Sequence, residues 1–346
     1  MSMEKYAYGM NEDGKEGTVY ILENQNGMKV ELLDFGATIV KMEVPDKGGN
    51  PIDVVLGYDD VEGYETGTVF LGAPVGRSAN RIGNASFELN GVTYSLAANN
   101  EKNNLHSGLD FYHLRFWDVK DVSENKIVFT LFSPDGDQGY PGNVSIEITY
   151  TLTEENELKI EYHAEPDADT IINLTNHSYF NLDGHASGSI LDHSIQLDSD
   201  FYTQADAESI PTGDLIDVTG TPMDFRTGRV IGKDIDSTYE ATQLAGGYDH
   251  NWALKTNGSY GLIGSLTSAI SGIKMEVYTD LPGVQVYTGN FINQVHGKSG
   301  VVYAKRAGVC FETQYFPDAI HHPSFESPVI KAGNKYHTVT SYKFMV

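Results

Sequence analysis

The sequence predicts an all-β protein, one large antiparallel β-sandwich domain spanning residues 1–346. Three observations carry this. Apolar and polar residues alternate with period two through much of the chain, as strands buried on one face require. The 36 glycines among 346 residues supply tight turns between those strands. Helical patterning is confined to 59–64 and 316–320, where single turns are expected. Length alone would allow about two domains, but large sandwiches exceed the usual domain size, and no linker, repeat or low-complexity tract divides the chain.

The strand pattern opens at 18–23, 28–33 and 37–44. Phe87 and Leu89 then run into Asn90-Gly91 and out through Val92 and Tyr94. Asn-Gly accepts positive φ at both turn positions, so this predicts a two-residue hairpin. After a strand at 126–133, Val144, Ile146, Ile148, Tyr150 and Leu152 alternate with Ser145, Glu147, Thr149, Thr151 and Thr153. A polar turn at 154–157 leads back through Leu158, Ile160 and Tyr162, which alternate with Lys159, Glu161 and His163. That is a half-buried antiparallel hairpin. Further strands are expected at 190–198, 273–279, 283–288, 308–314 and 337–345, and a long surface loop at 205–220, rich in Asp, Pro, Gly and Thr.

Composition excludes several function classes. Lys and Arg total 23 against 48 Asp and Glu, a net charge of −25 that repels phosphate backbones and anionic lipid. Nucleic-acid and membrane-surface partners are therefore not expected. No apolar run reaches membrane-spanning length, and the polar opening MSMEKYAYGM predicts no secretory leader. The single cysteine, Cys310, allows no intrachain disulfide and predicts a reducing, cytoplasmic setting. The 21 Tyr, 15 Phe and 2 Trp are mostly core material, with a few left for stacking on a ligand. Neither a glycine-rich dinucleotide loop, a Walker loop nor a GxSxG elbow is present, so no nucleotide cofactor is expected. No HxH, HExxH or CxxC spacing appears, so no metal is expected either.

Two distant segments hold the chemistry: NLTNHSYFNL around His177 and VCFETQYFPD around Glu312. A histidine and a carboxylate brought together can give and remove protons in one step. His177 sits among Asn173, Asn176 and Asn181, which are expected to fix its tautomer; a buried structural histidine is the plainer alternative. Glu312 lies between Phe311 and Thr313, where burial would raise its pKa into the range of a useful base; a solvated strand face would leave it ordinary. Asn80 and Arg81 lie in VGRSANRIGN between Gly76 and Gly83, which suggests a backbone shaped to aim the guanidinium. His106 in NNLHSG is a loop histidine that gains interest from His177. Asp249 in GGYDHNW is a carboxylate beside Tyr248 and Trp252, the pairing that holds sugar hydroxyls and an apolar sugar face. Gln285 points opposite to Val284 and Val286 on its strand.

Together VGRSANRIGNA, NNLHSG, SPDGDQGYPGN, NLTNHSYFNL, GTPMDFR, GYDHNW, PGVQVYTGNF and CFETQYFPD resemble the aldose 1-epimerase family, in family order from about Asp34 to the C-terminus. The resemblance implies a large sandwich with a shallow sugar site, acting on a free aldose such as glucose or galactose without a cofactor. It implies that Glu312 is the base on the anomeric hydroxyl, that His177 protonates the ring oxygen and that His106 assists there. Asn80, Arg81, Asp249 and Gln285 would hold the hydroxyls. The chain departs from the family pattern at Ser107, which replaces a glycine, and at Leu114-Arg115 before Trp117, which predicts a changed rim. Residues 319–325, AIHHPSF, form an unusual turn after the Glu312 strand.

Three other readings use the same residues. Asp249 and Glu312 could form the acid pair of a glycoside hydrolase, against which His177 weighs. A sugar-binding sandwich without catalysis would need no His–Glu pair. A sugar-phosphate epimerase would want more basic residues than six arginines provide. Oligomeric state stays open.

Overall fold

Strands form in the computed structural model, which describes residues 4–346, wherever alternation is strong. The hairpin of Val144–Leu152 and Glu157–Pro166 pairs in register from Val144 opposite Pro166 to Leu152 opposite Leu158. It lies within a nine-stranded antiparallel sheet. The order there is Asp118–Ser123, Lys126–Ser133, Val144–Leu152, Glu157–Pro166, Tyr336–Met345, Lys274–Thr279, Gly261–Thr267, Ser194–Leu197 and Arg229–Val230. A five-stranded sheet carries the site, in the order Pro211–Asp217, Phe201–Ala205, Asp249–Ala253, Gly283–Tyr287 and Cys310–Gln314. A second five-stranded sheet is built from the N-terminal strands, from Lys5–Met10 to Pro51–Asp53.

One core joins all three sheets. Ile160 and Tyr162, Val30 and Met42, and Val284, Trp252 and Phe311 belong to the same buried cluster. Burying each such side chain contributes about 1.5–3 kcal/mol, so the sheet beneath the site is held by its underside. Tyr342 donates from its hydroxyl to the Phe311 carbonyl at 3.2 Å, tying the long sheet to the strand of Glu312.

Several elements differ from expectation. Pro211–Asp217 is a strand, not part of a loop; it is an exposed edge strand of mixed composition and so lacks the alternation that marks a half-buried one. Lys5–Met10 is likewise a largely exposed edge strand, and the short helix Glu240–Leu244 carries too few residues for a period to show. The expected turn at 59–64 is the helix Val61–Thr66, started by Asp60, whose carboxylate accepts from the Gly63 N–H at 2.9 Å. The turn after Glu312 is a 3-10 turn at Ala319–His321, slightly later than expected. Asn90 and Gly91 take φ of 53° and 77°, as the hairpin they close requires. Among the described residues, no helix is long and apolar enough to cross a membrane.

Candidate active site

The site is built on a row of facing residues. Asn251, Gln285 and Glu312 lie opposite one another on three adjacent strands, so their side chains share one face. The alternate positions, Val284, Val286 and Phe311, point into the core. Gln285 donates to Asp249 Oδ1 at 2.7 Å, which turns that carboxylate toward the same face. Gln314, two residues beyond Glu312 on the same strand, donates from Nε2 to Gln285 Oε1 at 3.4 Å.

His177 arrives from the short strand Thr175–His177, which pairs with Ala73–Val75. Phe180 and Val309 exchange backbone hydrogen bonds, so this segment is stitched beside the Glu312 strand. His177 Nε2 lies 3.6 Å from Glu312 Oε1, and both residues are almost fully buried, at 5% and 2% exposure. The other ring nitrogen, Nδ1, meets the Cys310 Sγ at 3.5 Å. The asparagines expected to hold the ring do other work. Asn176 donates to the Gly72 carbonyl, Asn173 bonds the backbone of Tyr315, and Asn181 reaches the Gly188 and Ala307 carbonyls. They fix the strand end, and the ring is walled instead by Phe70, Tyr179 and Tyr287.

His106 and Asn80 hold each other. The Asn80 N–H donates to His106 Nδ1 at 3.1 Å, and the His106 N–H to the Asn80 carbonyl at 2.9 Å. Both residues have positive φ, 57° for Asn80 and 54° for His106, a conformation that asparagine and histidine tolerate better than most. Because Nδ1 accepts a proton donor, the neutral His106 ring carries its own proton on Nε2. Arg81 is steered by Asn100, whose Oδ1 accepts from Arg81 Nε at 2.9 Å. A side chain at Gly76 would collide with Leu174 and Tyr112, so the loop before Asn80 packs as closely as its glycine allows.

The structure therefore brings Asn80, Arg81, His106, His177, Asp249, Gln285 and Glu312 to one cleft of about 460 Å3, within the roughly 300–1,000 Å3 usual for small ligands. A larger concavity of about 610 Å3 lies on the nine-stranded sheet around Glu147, His163 and Lys335, without a buried acid–base pair. Tyr248 and Trp252 do not face the cleft. Their hydroxyl and indole N–H bond the Pro222 and Met223 carbonyls in the core, and the aromatic lining comes from Phe70, Tyr179, Tyr287 and Phe291. Cys310 could have been found from period two, since it lies two residues before Glu312 on the same strand. Phe70 sits in no recognisable motif.

The departures noted in the sequence lie behind the cleft rather than on its rim. Ser107 accepts from the Ser78 N–H at 2.7 Å and donates to the Ser78 carbonyl at 3.0 Å, clasping the His106 loop to the Asn80 loop. Arg115 turns away to a two-toothed pair with Asp137, each contact 2.8 Å. In the AIHHPSF turn, His321 bonds Asp318, whose Oδ1 accepts from the Gly83 N–H at 2.9 Å; the turn braces the backbone just after Arg81.

Electrostatics follow from burial. The Glu312 carboxyl is pushed well above the usual carboxylate range, chiefly by burial and then by Asp249, with Arg81 opposing. His177 is lowered to about 4 by burial. His106 is lowered well below its ordinary value, by burial first and then by His177 and Arg81. Glu312 Oε2 is buried without a hydrogen-bond partner among the described residues. Such a group costs about 1–3 kcal/mol until a donor such as a ligand hydroxyl reaches it. The ligand atoms of His106, His177 and Glu312 lie within 4.8 Å of one another. His106 is nevertheless a poor metal ligand, because Nδ1 is spent on the Asn80 N–H and Nε2 bears the proton.

A cleft that pairs a buried base with a histidine and surrounds them with amide, guanidinium and carboxylate groups belongs to an acid–base enzyme of polyhydroxylated substrates. A model of the aldose 1-epimerase family matches residues 18–343. The galactose mutarotase of Homo sapiens is 40% identical over 332 residues, covering 95% of each chain. The aldose 1-epimerase of Haemophilus influenzae is 41% identical over 336 residues, covering 96% of this chain and 97% of that one. Among solved structures, an aldose epimerase homologue from C. elegans superposes with a TM-score of 0.87 at 30% identity, covering 94% of this chain and 98% of that one. Galactose 1-epimerase from Lactobacillus acidophilus gives 0.86 at 28% identity, with 99% of each chain covered. The chain belongs to the aldose 1-epimerase family, and it is an isomerase.

Proposed function

We propose that this enzyme interconverts the α and β anomers of a free aldohexose such as glucose or galactose, with Glu312 as base, His177 as acid and no cofactor. Glu312 takes the proton of the anomeric hydroxyl while His177 gives one to the ring oxygen. The C1–O5 bond breaks as the C1 carbonyl forms. Rotation about C1–C2 then presents the other carbonyl face, and closure runs the two transfers backwards. His106, with its proton on Nε2, supports the ring oxygen as a neutral donor. Asn80, Arg81, Asp249 and Gln285 hold the remaining hydroxyls.

The observation that carries this reading is the 3.6 Å approach of His177 Nε2 to Glu312 Oε1 at the floor of a cleft rich in hydroxyl-binding groups. A neutral substrate fits the lining, where Arg81 is the only arginine or lysine among the described residues, beside Glu101, Glu208, Asp249 and Glu312. A sugar phosphate would meet more negative charge than positive. The lone buried cysteine suits a reducing compartment such as the cytoplasm.

Polarimetry on freshly dissolved α-glucose, α-galactose and α-xylose tests the activity directly. Glu312→Gln keeps the shape but cannot take the proton, and general-base help is worth about 10²–10⁴-fold. Turnover should fall by that order while sugar binding survives. Near-normal turnover in this variant would remove Glu312 from the chemistry.

A further inference from the structure

A second cluster of metal-ligating side chains lies on the solvent face of the nine-stranded sheet, and none of its members lines the cleft. His163 and His337 are direct cross-strand partners on adjacent antiparallel strands. Their rings stack at 4.3 Å between centroids and 12° between planes. Glu161 is two residues before His163, hence on the same face, and its Oε1 lies 3.8 Å from His337 Nε2. One ligand atom from each of the three residues can be chosen so that all lie within 4.8 Å of one another.

We propose that Glu161, His163 and His337 form a surface site for a borderline divalent transition-metal ion of the Zn2+ type, with solvent in the remaining position. Two imidazole nitrogens and one carboxylate oxygen are the donor set such ions prefer over Mg2+ or Ca2+. Ligands about 2.0–2.2 Å from a tetrahedral ion stand roughly 3.3–3.6 Å apart, and because stacked rings point their in-plane lone pairs side by side, the two imidazoles must rotate out of the stack to meet at one ion. Backbone pairing fixes the two histidines in register, so the ordering left to oppose binding is that of the side chains alone.

The contrast with the catalytic histidines is chemical. His106 has no lone pair to offer, whereas among the described residues the rings of His163 and His337 form no hydrogen bond. Lys159 is the competitor. It pairs with Glu161 Oε1 at 3.1 Å, a half-exposed ion pair that a bound divalent ion would have to displace. Glu147, opposite His163 on the other neighbouring strand, is paired with Lys120, and Lys335 lines the same face, so the favourable field comes from the net charge of −25 rather than from these neighbours. No sequence motif shows the site, because its ligands meet only when the strands at 157–166 and 336–345 pair.

The test uses the untagged full chain, stripped with a chelator and titrated with Zn2+ by calorimetry and with Co2+ by visible absorption. One saturable site of micromolar affinity is expected, with the intense d–d bands of a low-symmetry Co2+ centre. His163→Ala and His337→Ala should each weaken it roughly tenfold or more, and the double variant should abolish both the heat and the bands. Mutarotation should be unchanged in all three variants, since the cleft is untouched, and circular dichroism checks that each variant is folded. Absence of saturable binding below millimolar metal would overturn the assignment. So would binding that survives intact in the folded double variant, because the ion would then sit elsewhere.

Discussion

On the proposed mechanism Glu312 and His177 divide one proton between them, and burial decides where it rests. With the carboxyl raised and His177 lowered to about 4, the proton rests on the carboxyl and His177 is neutral. The working arrangement, carboxylate plus imidazolium, contains the same number of protons, so it is reached by relocating one rather than by titration. Below about pH 4 the pair gains a second proton and no base remains; above the raised pKa of the carboxyl it loses its only proton and no acid remains. The kcat/KM profile is therefore expected to be a bell whose acidic limb lies near pH 4 and whose alkaline limb lies above the usual carboxylate range, both belonging to the pair. A profile flat from mildly acidic to strongly alkaline pH would contradict the pairing. The two histidines should separate kinetically. His177→Asn removes an interaction that grows in the transition state and should cost far more in kcat than in KM. His106→Asn removes a neutral donor and should change both while leaving measurable activity. Steady-state polarimetry distinguishes them, and a larger kcat loss at His106 would reverse the roles. Sequence context singled out both histidines and the glutamate, which the fold brings to one cleft, but it misassigned the asparagines. Residue type shows that Asn173, Asn176 and Asn181 can donate and accept; only the fold shows that backbone carbonyls claim them first.

At the scale of elements, the site depends on loops clasped together behind the reacting groups. Ser107 is the clearest case. Its hydroxyl satisfies both the N–H and the carbonyl of Ser78 and lies 3.1 Å from the Tyr140 hydroxyl, all of them buried. Ser107→Ala leaves these groups without their partner, at a cost of about 1–3 kcal/mol. It also loosens the loop that presents His106. Thermal unfolding should shift downward and kcat/KM should fall, although Ser107 does not line the cleft. An unchanged melting temperature together with unchanged kinetics would show that the clasp is dispensable. Period two located two of the strands beneath the site, Gly283–Tyr287 and Cys310–Gln314, because Val284, Val286 and Phe311 need a core on one side while Gln285 and Glu312 need the cleft on the other; it did not mark Phe201–Ala205 or Asp249–Ala253 beside them. It missed Pro211–Asp217 for the converse reason, since an edge strand exposed on most of its length has no core to impose alternation. Loop clasps were illegible for a third reason: their partners are up to 235 residues apart, as with Gly83 and Asp318.

At the scale of the whole molecule, the charge of −25 and a cleft lining whose only arginine or lysine among the described residues is Arg81, with Lys102 pairing Glu208 at its edge, bear on which substrates the proposed activity would favour. Composition led to the expectation that anionic partners are repelled, while the position of Arg81 as the only arginine or lysine lining the cleft among the described residues required the fold. A neutral aldose feels no long-range field, so its kcat/KM should stay nearly constant between about 0.01 and 1 M salt, over which the Debye length falls from roughly 30 to 3 Å. A sugar phosphate should behave differently. Its two negative charges oppose both the surface field and the local Glu101, Glu208 and Asp249 carboxylates. Its kcat/KM should therefore be low in dilute buffer and rise with salt as the field is screened. Measuring both substrates by polarimetry across that salt series separates the contributions, because the neutral sugar controls for any effect of salt on the enzyme itself. A phosphate substrate turned over faster than the neutral one at low salt would mean that Arg81 outweighs the surrounding acids, and the preferred substrate would then be anionic.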